Sequence, residues 1–373
     1  MSFIKKIVRF STLLKVITLV VLISMLLSYL APFIHPDTIK IIPFFGLAYP
    51  IFTLLTLFLL LLWLFISKKW SLYIFIVLCI GGSLHFRTIA FVVSDLEKPA
   101  ADSCLHVMSY NVRLFDVYNQ SLVGRNETRR KIIQYIHQEN PDIVCFQEFF
   151  HQDKPSNFST KDTLISALGY RYYHERYSHK IRNRQNFGIC MVSKYQMVSR
   201  GDVMFENFES TDNYCIYADI VKGKDTIRVY DVHLQSIKLQ QEDYELFGEE
   251  NKQAGGKKST ITLLLDKLRI AYPARAKQAE RVVEHIKTSP YPVVICGDFN
   301  DTPMSYVYNQ FSRILVDSFR ETSFGIGRTY VGRVPAGRID YIFHTGDLIA
   351  RDFTIQQQAY SDHLAVQCKI YVK

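Results

Sequence analysis

Three long stretches without a charged side chain constrain the N-terminal part of this chain more strongly than any other feature of its sequence. They run from Val16 to Ile34, from Ile41 to Ser67 and from Trp70 to Phe86, with His85 taken as neutral. Each is close to the roughly 20 residues that a helix needs to cross a bilayer. We therefore predict a membrane anchor of about three transmembrane helices in residues 1–95. The third stretch is the shortest, so its crossing is the open point.

A secretory signal peptide is the alternative interpretation of the first stretch. Lys5, Lys6 and Arg9 precede it, as the basic residues of a signal peptide would. Two further apolar stretches follow closely, and no clear small-x-small cleavage site ends the first. The sequence therefore favours retained membrane helices, which would make the lipid bilayer a partner of the chain.

The basic residues around the stretches predict their orientation. Basic side chains precede the first stretch and separate the second from the third, at Lys5, Lys6, Arg9, Lys15, Lys68 and Lys69. The loop between the first and second has only Lys40, beside Asp37. The positive-inside rule then places the N-terminus in the cytoplasm. With three crossings, this is a multi-pass protein of the cell membrane whose large domain lies outside the cytoplasm. With two, that domain lies inside.

Much of the positive charge belongs to this membrane part. The whole chain has a formal net charge of +9, with 44 Lys and Arg against 35 Asp and Glu. Residues 1–100 hold nine of the basic and three of the acidic residues, which leaves 35 against 32 for residues 101–373. The large domain is therefore not the strongly basic body expected of a general nucleic-acid binder.

The cysteines predict neither a zinc site nor a disulfide framework. Four of the seven, Cys145, Cys190, Cys296 and Cys368, lie in apolar runs typical of strands. Free cysteine in such a place behaves as a small buried hydrophobe. No CxxC pair or zinc-ligand spacing occurs in the sequence.

The segment Val293–Pro303 places polar side chains directly after a buried strand. The apolar run stops at Gly297, and Asp298 and Asn300 follow at once. A carboxylate at the end of a buried strand is unfavourable unless it is paired or binds something. Taken alone, the pattern also fits an ordinary Asx turn, because Asp and Asn are favoured turn residues.

The same pattern recurs at other apolar runs in the large domain. The residues at these predicted strand ends are Asn111, Glu148, His233, Asp298, Asn300, Asp340, Asp362 and His363. Each alone has an ordinary structural explanation. Together, carboxylates and amides without thiols favour a hard cation such as Mg²⁺ or Mn²⁺. Two imidazoles beside several acids supply general acid–base groups, so the set indicates attack of water on a phosphate ester.

Hydrophobic spacing predicts the helices between these strands. Arg125–Glu139 reads as one helix, and Ser259–Leu268 and Ala276–Ile286 read as two helices separated near Pro273. Strands and helices alternate along the large domain. This alternation favours an α/β domain of packed sheets with helices outside.

Two polar segments predict loops. Residues 151–186 read as a loop-rich region that could line a cleft, and residues 237–258 read as a flexible insert. Both carry basic residues that could form a local stripe for nucleic acid: Lys180, Arg182, Arg184, Lys257 and Lys258.

The order of these motifs resembles the endonuclease/exonuclease/phosphatase superfamily. The matching motifs are Asn111, Gln147-Glu148, Asp231-Val232-His233-Leu234, Gly297-Asp298-Phe299-Asn300, Ile339-Asp340-Tyr341 and Ser361-Asp362-His363. The resemblance covers residues 103–373. The superfamily includes deoxyribonuclease I-like nucleases, abasic-site endonucleases, neutral sphingomyelinases and inositol polyphosphate phosphatases. One departure is Asp231-Val232, where the superfamily usually has asparagine and threonine before the histidine.

The resemblance implies a fold and a metal site. The implied fold is α/β, a four-layer sandwich of two packed mixed β-sheets flanked by helices, here preceded by the all-α transmembrane segment. Carried over residue by residue, Glu148 is the principal metal ligand for Mg²⁺ or Mn²⁺, and Asn111 lies beside it. Asp362 is an additional or an indirect ligand.

The resemblance also implies catalytic roles. His363, paired with Asp340, serves as a base or as an imidazole that contacts the phosphate. Asp298 orients or deprotonates the water. Asn300 and His233 hold the phosphoryl oxygens. Which group is the formal general base stays open.

These expectations describe a membrane-anchored, divalent-metal-dependent phosphoesterase. The substrate is a phosphate ester, either a lipid headgroup, a small phosphodiester or a nucleic acid. A metal-dependent nuclease is the alternative, and a catalytically silent binding module on the same fold is a further one. No protein partner is evident from the sequence.

Overall fold

The computed structural model describes residues 2–92, 104–119, 121–156, 158–205, 213–237, 260–332 and 336–373. The chain divides into two units. One comprises Met1–Thr88 and Thr302–Asn309, and the other comprises Ile89–Asp301 and Gln310–Lys373. The predicted domain boundary between residues 95 and 103 lies outside the described residues, as does the predicted insert from residue 238 onwards with Lys257 and Lys258.

Four helices cover most of the three uncharged stretches. They are α1 (Ser2–Leu30), α2 (Ile42–Leu47), α3 (Tyr49–Ile66) and α4 (Lys68–Thr88). Three segments are long and apolar enough to cross a membrane, namely Ser11–Leu30, Tyr49–Ile66 and Lys68–Thr88. Pro43 and Pro50 lie in the first turns of α2 and α3. Backbone N–H groups in a first turn have no partner within the helix, so a proline there costs no helical hydrogen bond.

The long helices expose large apolar side chains. On α3, Leu54, Phe58 and Phe65 are all exposed, Phe65 to 90%. Polar side chains instead pair inside the helical unit, where Trp63 Nε1 donates to Thr18 Oγ1 at 2.8 Å. Apolar surface outside and satisfied polar groups inside is the arrangement suited to a hydrocarbon environment.

Fourteen strands occur in the described residues. They are β1 (Ala90–Phe91), β2 (Cys104–Asn111), β3 (Ile143–Gln152), β4 (Tyr172–Ile181), β5 (Gln185–Ser193), β6 (Gln196–Val203), β7 (Tyr214–Lys222), β8 (Asp225–His233), β9 (Val293–Asp298), β10 (Val316–Asp317), β11 (Phe324–Gly325), β12 (Asp340–His344), β13 (Leu348–Ile355) and β14 (Val366–Val372). Five further helices are α5 (Leu122–Glu139), α6 (Thr160–Leu168), α7 (Thr260–Lys287), α8 (Tyr306–Ser312) and α9 (Ser318–Thr322).

Two six-stranded mixed sheets form the large unit. One has the order β13-β14-β2-β3-β5-β4 and the other β10-β12-β9-β8-β7-β6. Within them β2 pairs parallel with β3 and β8 with β9, whereas the other pairs are antiparallel. A short third sheet pairs β1 with β11. The predicted architecture of two packed mixed sheets is confirmed.

Strand alternation decides which side chains lie between the sheets. On β2, Leu105 and Val107 join the core between the sheets, whereas Met108 and Tyr110 join the core under α5. Asn111 shares the inward face with Val107, because successive side chains of a strand point to opposite faces. Asn111 is therefore directed between the two sheets at their edge.

Helix α7 is continuous through Pro273, so the predicted break is wrong. A proline inside a helix removes one backbone bond and usually kinks or ends it. Here the buried face continues on both sides of Pro273, with Ala271 and Tyr272 before it and Ala276 and Ala279 after it. Burial of one unbroken apolar face outweighs the lost bond.

The region predicted as loop-rich is mostly regular structure. Helix α6 and the hairpin β4–β5 occupy most of residues 160–193. Arg182 and Arg184 lie in the turn between the two strands. Tyr172, Tyr173 and Tyr177 are partly buried on β4, and Tyr170, just before β4, is fully buried. Polar composition misled the prediction because β4 is an edge strand with water on part of its surface.

All seven cysteines are free. Cys145, Cys190, Cys296 and Cys368 are buried, as their apolar surroundings predicted. Cys215 is buried as well, whereas Cys79 is exposed and Cys104 is partly exposed.

Asp231 is a buried carboxyl group between the sheets. Its Oδ1 accepts a hydrogen bond from Gln147 Nε2 at 2.6 Å, which links β8 to β3. Burial raises the pKa of Asp231 well above its ordinary value, although the bond from Gln147 opposes this. The superfamily that the sequence resembles usually has asparagine here, and asparagine would give the same shape without an ionisable group.

We predict that Asp231→Asn stabilises the protein, and more so at higher pH. Between the unfolded pKa of about 3.9 and the raised folded pKa, the folded state binds more protons, so wild-type stability falls as pH rises. The variant lacks this loss, and its advantage widens by up to about 1.4 kcal/mol per pH unit above about pH 4. Thermal melting of the full chain in detergent at several pH values measures it.

Asp219→Asn is the matched control for this prediction. Asp219 is also buried, but it forms two bonds with Arg228, at 2.6 and 2.8 Å. The same substitution there breaks an ion pair and is expected to lower the melting temperature. If the stability gained by Asp231→Asn over wild type shrank with rising pH, Asp231 would not be a neutral buried carboxyl group.

Candidate active site

Three of the predicted site residues lie in one row across β8, β9 and β12. His233 ends β8 and pairs with Asp298, which ends the parallel strand β9. Asp340 begins β12 opposite Asp298 on the other side. Adjacent strands lie about 4.8 Å apart, so this register alone brings an imidazole and two carboxylates together at the sheet edge.

His363 joins the row from the segment before β14. Its Nδ1 lies 3.0 and 3.1 Å from the two carboxylate oxygens of Asp340. Its Nε2 lies 3.7 Å from Asp298 Oδ2. Burial lowers the pKa of His363, but the carboxylates of Asp340 and Asp298 outweigh burial and raise it to about 10. The imidazole is therefore a cation at neutral pH that donates its Nδ1–H to Asp340.

Asp298 is the centre of the cluster. Its Oδ2 lies 3.6 Å from His233 Nε2 and accepts hydrogen bonds from Asn111 Nδ2 at 3.0 Å and Asn300 Nδ2 at 3.2 Å. Its Oδ1 accepts from the backbone N–H of Asn300 at 2.8 Å. Burial raises the pKa of Asp298, and the imidazoles of His363 and His233 oppose this. The carboxylate is thus bound by donors from both sheets.

The backbone around Asp298 explains the spacing of its motif. Gly297 has φ +150°, and a Cβ there would lie 1.9 Å from the carbonyl oxygen of Val232, so the position requires glycine. Asn300 has φ +54°, a left-handed conformation that asparagine tolerates. This turn directs Asn300 Nδ2 to Asp298 and to the carbonyl oxygen of Leu234, at 3.0 Å.

Glu148 lies within β3 rather than at its end, which corrects the prediction. The pairing of β3 with β5 shifts between Phe146 and Phe149, and Glu148 has φ +48°. This bulge leaves the Glu148 carboxylate 3.3 Å from Asn111 Nδ2, at Oε1. Burial and the charge of Asp362 raise the pKa of Glu148 to about 7. Bulges re-aim side chains at functional edges in this way.

The donor set around Glu148 fits a hard divalent cation. Glu148 and Asp362 are two carboxylates close enough for their charges to oppose each other, and a cation would relieve that repulsion. The Asn111 amide is oriented with its nitrogen towards Glu148, while its oxygen accepts from the backbone N–H of Arg113 at 3.1 Å. In this orientation the Asn111 nitrogen orders the carboxylates, and its oxygen keeps a second lone pair for a metal.

A second group has metal-ligand spacing. One ligand atom each from Asp298, Asp340 and His363 lies within 4.8 Å of the others. His363 Nδ1 already bonds both oxygens of Asp340, however, which uses the imidazole as a hydrogen-bond donor. We therefore regard this group as an oriented histidine, and the Glu148 side of the cluster as the candidate for a metal.

Arg113 and Asp362 lie at the outer side of the cluster. Arg113 Nε lies 3.7 Å from Asp362 Oδ2. Arg113 begins a turn of four residues, through Asp116, whose φ angles all lie between +46° and +58°. Such conformations are unfavourable for residues other than glycine and cluster at functional sites. Sequence reasoning did not select Arg113, because only the fold brings it to Asp362.

Arg275 is another residue that sequence reasoning missed. It is 1% exposed on α7, where Nε donates to the carbonyl oxygen of Gln235 at 2.9 Å and Nη1 lies 3.2 Å from Asp301 Oδ2. Gln278, one turn on, accepts from the Gln235 backbone N–H at 2.7 Å. Arg275 thus joins the loop after His233 to the loop after Asp298. The sequence signal for this contact was the presence of two polar residues, Arg275 and Gln278, three positions apart on the apolar face of a helix.

All eight predicted residues thus meet in one cluster. Of the basic residues predicted to form a stripe, three lie in the described part of the chain. Lys180, Arg182 and Arg184 lie at the end of β4 and in the turn to β5, and Arg184 Nη2 is engaged by the carbonyl oxygens of Asp153 and Pro155.

The sequence model of the endonuclease/exonuclease/phosphatase family matches residues 108–363, which is more than half of the chain. A second sequence model, described only as a domain of unknown function, matches residues 11–88. No curated protein shows significant similarity to the chain.

Solved structures of this family share the fold. A family member from Bacteroides thetaiotaomicron is 18% identical, with a TM-score of 0.52, over 74% of this chain and 100% of that chain. One from Leptotrichia buccalis is 16% identical, with a TM-score of 0.51, over 71% of this chain and 99% of that one. The human Nocturnin catalytic domain is 18% identical, with a TM-score of 0.50, over 73% and 94%.

We predict that Arg275→Met lowers the melting temperature of the full chain by several degrees. The substitution keeps the apolar stem but leaves Asp301 and the Gln235 carbonyl without their charged donor, which typically destabilises by about 3–5 kcal/mol. Arg281→Met on the same helix is the control, because Arg281 is largely exposed and should change stability by less than about 0.5 kcal/mol. Equal melting temperatures for the two variants would contradict the stabilising role of Arg275 between the two loops.

Proposed function

The chain belongs to the endonuclease/exonuclease/phosphatase family of phosphoric ester hydrolases, and from this premise we propose that it is a membrane-anchored, divalent-metal-dependent phosphoesterase. The observation that carries the proposal is the position of the Asp298 carboxylate. It lies 3.6 and 3.7 Å from the Nε2 atoms of His233 and His363, with Asp340 fixing the second imidazole. A carboxylate base between two imidazoles is suited to attack of water on an anionic phosphate ester, because the carboxylate can take the proton and the imidazoles can contact the phosphoryl oxygens.

The proposed roles follow from the protonation of these groups. Asp298 accepts a proton from the attacking water as the new oxygen–phosphorus bond forms and the ester oxygen–phosphorus bond breaks. His363 is a cation held by Asp340, so it acts on the phosphoryl oxygens rather than as the base. His233 and Asn300 contact the same oxygens from the other side. The leaving oxygen takes its proton from an imidazolium or from solvent.

Glu148 and Asp362 are the proposed metal ligands, with Asn111 ordering them. When bound, Mg²⁺ or Mn²⁺ would polarise the phosphoryl group and offset the charge that develops on it. The residues of the chain bind and orient the ester around this position. Asn111 connects the metal side to the base, because its Nδ2 donates to both Glu148 and Asp298.

Membrane anchoring is part of the proposal. Three apolar helices long enough to span, and the basic residues around them, support an N-terminus in the cytoplasm and a catalytic domain outside it. Tethering to a bilayer favours a membrane-associated ester over long nucleic acid, since the large domain is nearly neutral overall. A reporter active only outside the cytoplasm, fused after Lys373, checks this orientation.

A metal-dependent nuclease is the second candidate function. The basic residues at the turn between β4 and β5, including exposed Lys180 and Arg182, favour it. Hydrolysis of plasmid DNA, sphingomyelin vesicles and a small soluble phosphodiester, measured in parallel with Mg²⁺, separates the two. Full absence of hydrolysis by metal-loaded protein would leave only a binding module and remove the proposal.

We predict that Glu148→Gln weakens Mg²⁺ or Mn²⁺ binding and lowers turnover by about a hundredfold or more, because it removes a ligand charge while keeping the shape. Calorimetric metal titration and hydrolysis of the soluble diester measure the two effects. Glu127→Gln, at an exposed position of α5, is the control and should change neither metal affinity nor turnover. Metal affinity equal to wild type in Glu148→Gln would remove Glu148 from the metal site.

We also predict that His363→Ala and Asp340→Asn each lower turnover by about 10²- to 10⁴-fold, because Asp340 keeps His363 charged and oriented. The double variant should be little worse than either single one, since the two residues act as a unit. His137→Ala, at an exposed position on α5, is the control. Additive losses in the double variant would contradict the pairing.

A further inference from the structure

The short sheet β1–β11 exposes an apolar lip, defined here as Phe91, Phe324 and Ile326. Phe91 and Phe324 face each other in register, with ring centroids 6.3 Å apart. Their exposed fractions are 56% and 68%, and that of Ile326 is 67%. Adjacent apolar side chains this exposed usually mark a surface that contacts a partner or a membrane.

Chain connectivity limits how far the Phe91 backbone can lie from the end of the last candidate span. Candidate span α4 ends at Thr88, and Phe91 follows three residues later. A chain extends by at most about 3.6 Å per residue, so the Phe91 backbone lies within about 11 Å of the helix end. Phe324 is tied to Phe91 by pairing across the sheet. If α4 crosses the bilayer, this bound keeps the Phe91 backbone close to the headgroup region, which is roughly 5–8 Å deep.

We propose that the apolar lip inserts into the bilayer interface and that the active site takes its phosphate ester from a membrane phospholipid. The inference rests on the proposed function and on its membrane anchor. Apolar side chains such as Phe and Leu on interfacial segments bury themselves at the boundary between headgroups and acyl chains. Exposed Arg328 follows the lip within two residues and supplies a positive charge for headgroup phosphates.

The segment after the lip leads directly into the active site. The Val331 backbone N–H donates to the Asp362 carbonyl oxygen at 2.8 Å, and Thr329 Oγ1 accepts from the Asp340 backbone N–H at 3.1 Å. The Tyr330 ring packs edge-on against the His363 imidazole, with centroids 5.0 Å apart.

The reach of that segment matches the substrate class. Tyr330 is the sixth residue after Phe324, which bounds the distance between their backbones at about 22 Å. A lip anchored in the headgroup layer therefore keeps Tyr330, which packs against His363, within about 22 Å of the layer that holds phospholipid phosphodiesters. A soluble diester needs no such contact, and its hydrolysis should not depend on the lip.

Fluorescence quenching tests insertion without relying on activity. The full chain, with exposed Cys79 and partly exposed Cys104 replaced by serine, receives a bimane label at Phe324→Cys and is reconstituted in phosphatidylcholine–phosphatidylglycerol vesicles. Brominated phosphatidylcholine quenches from within the bilayer, and iodide on both sides quenches from water. Val198→Cys, 53% exposed on β6, is the matched control.

We expect bromolipid to quench the label at position 324, and iodide to quench it at least about threefold less than the label at position 198. A label at position 324 that iodide quenches as fully as the one at 198, without quenching by bromolipid, overturns the insertion. This result does not depend on whether the protein is an enzyme.

Hydrolysis then tests the substrate class. Phe324→Ser combined with Ile326→Ser should lower hydrolysis of phosphatidylcholine, phosphatidylglycerol or sphingomyelin in vesicles by about tenfold, and leave hydrolysis of soluble bis(p-nitrophenyl) phosphate unchanged. Equal activity of variant and wild type on vesicles overturns the inference, as does an equal loss on both kinds of ester. Wild type that cleaves the soluble diester or DNA but no vesicle lipid overturns the substrate class. Wild type inactive on every ester would remove the proposed function, while the quenching result still decides the lip.

Discussion

The buried carboxylate of Asp298 is the constraint on which the rest of the large unit depends. A carboxylate 1% exposed between two sheets is unfavourable unless donors surround it. The donors come from both sheets, because Asn111 ends a strand of one sheet and Asn300 follows the end of β9 in the other. The candidate site is therefore also a polar connection between the sheets, at the edge where their apolar core stops.

Backbone conformations that are unfavourable elsewhere gather around this edge. Glu148 and Asn300 adopt positive φ angles, Gly297 allows a close approach of β8, and the turn beginning at Arg113 is left-handed throughout. Arg275 binds two of the loops at this edge, the one after His233 and the one after Asp298. The packed core between the sheets stabilises these unfavourable backbone conformations at the edge where the site residues lie.

Much of the fold and of the site was predictable because it depends on local patterns. The apolar strand runs, the helix ending at Asn140 and the burial of Cys145 follow from period and composition. Other features depend on partners distant in sequence. The bulge at Glu148 is set by its pairing with β5, and the continuity of α7 through Pro273 is set by the apolar face that the helix buries. Neither partner can be read from the segment itself.

The sequence by itself determined which residue types are present and that apolar strands end in polar side chains. It also determined that three uncharged stretches are long enough to cross a bilayer, since hydrophobic length is a property of the chain alone. Only the tertiary structure decided that His233, Asp298 and Asp340 stand in one row, because strand register relates segments that are far apart in sequence. Tertiary structure likewise decided that Phe91 and Phe324 share one exposed surface, since a pairing across more than 200 residues leaves no local signal.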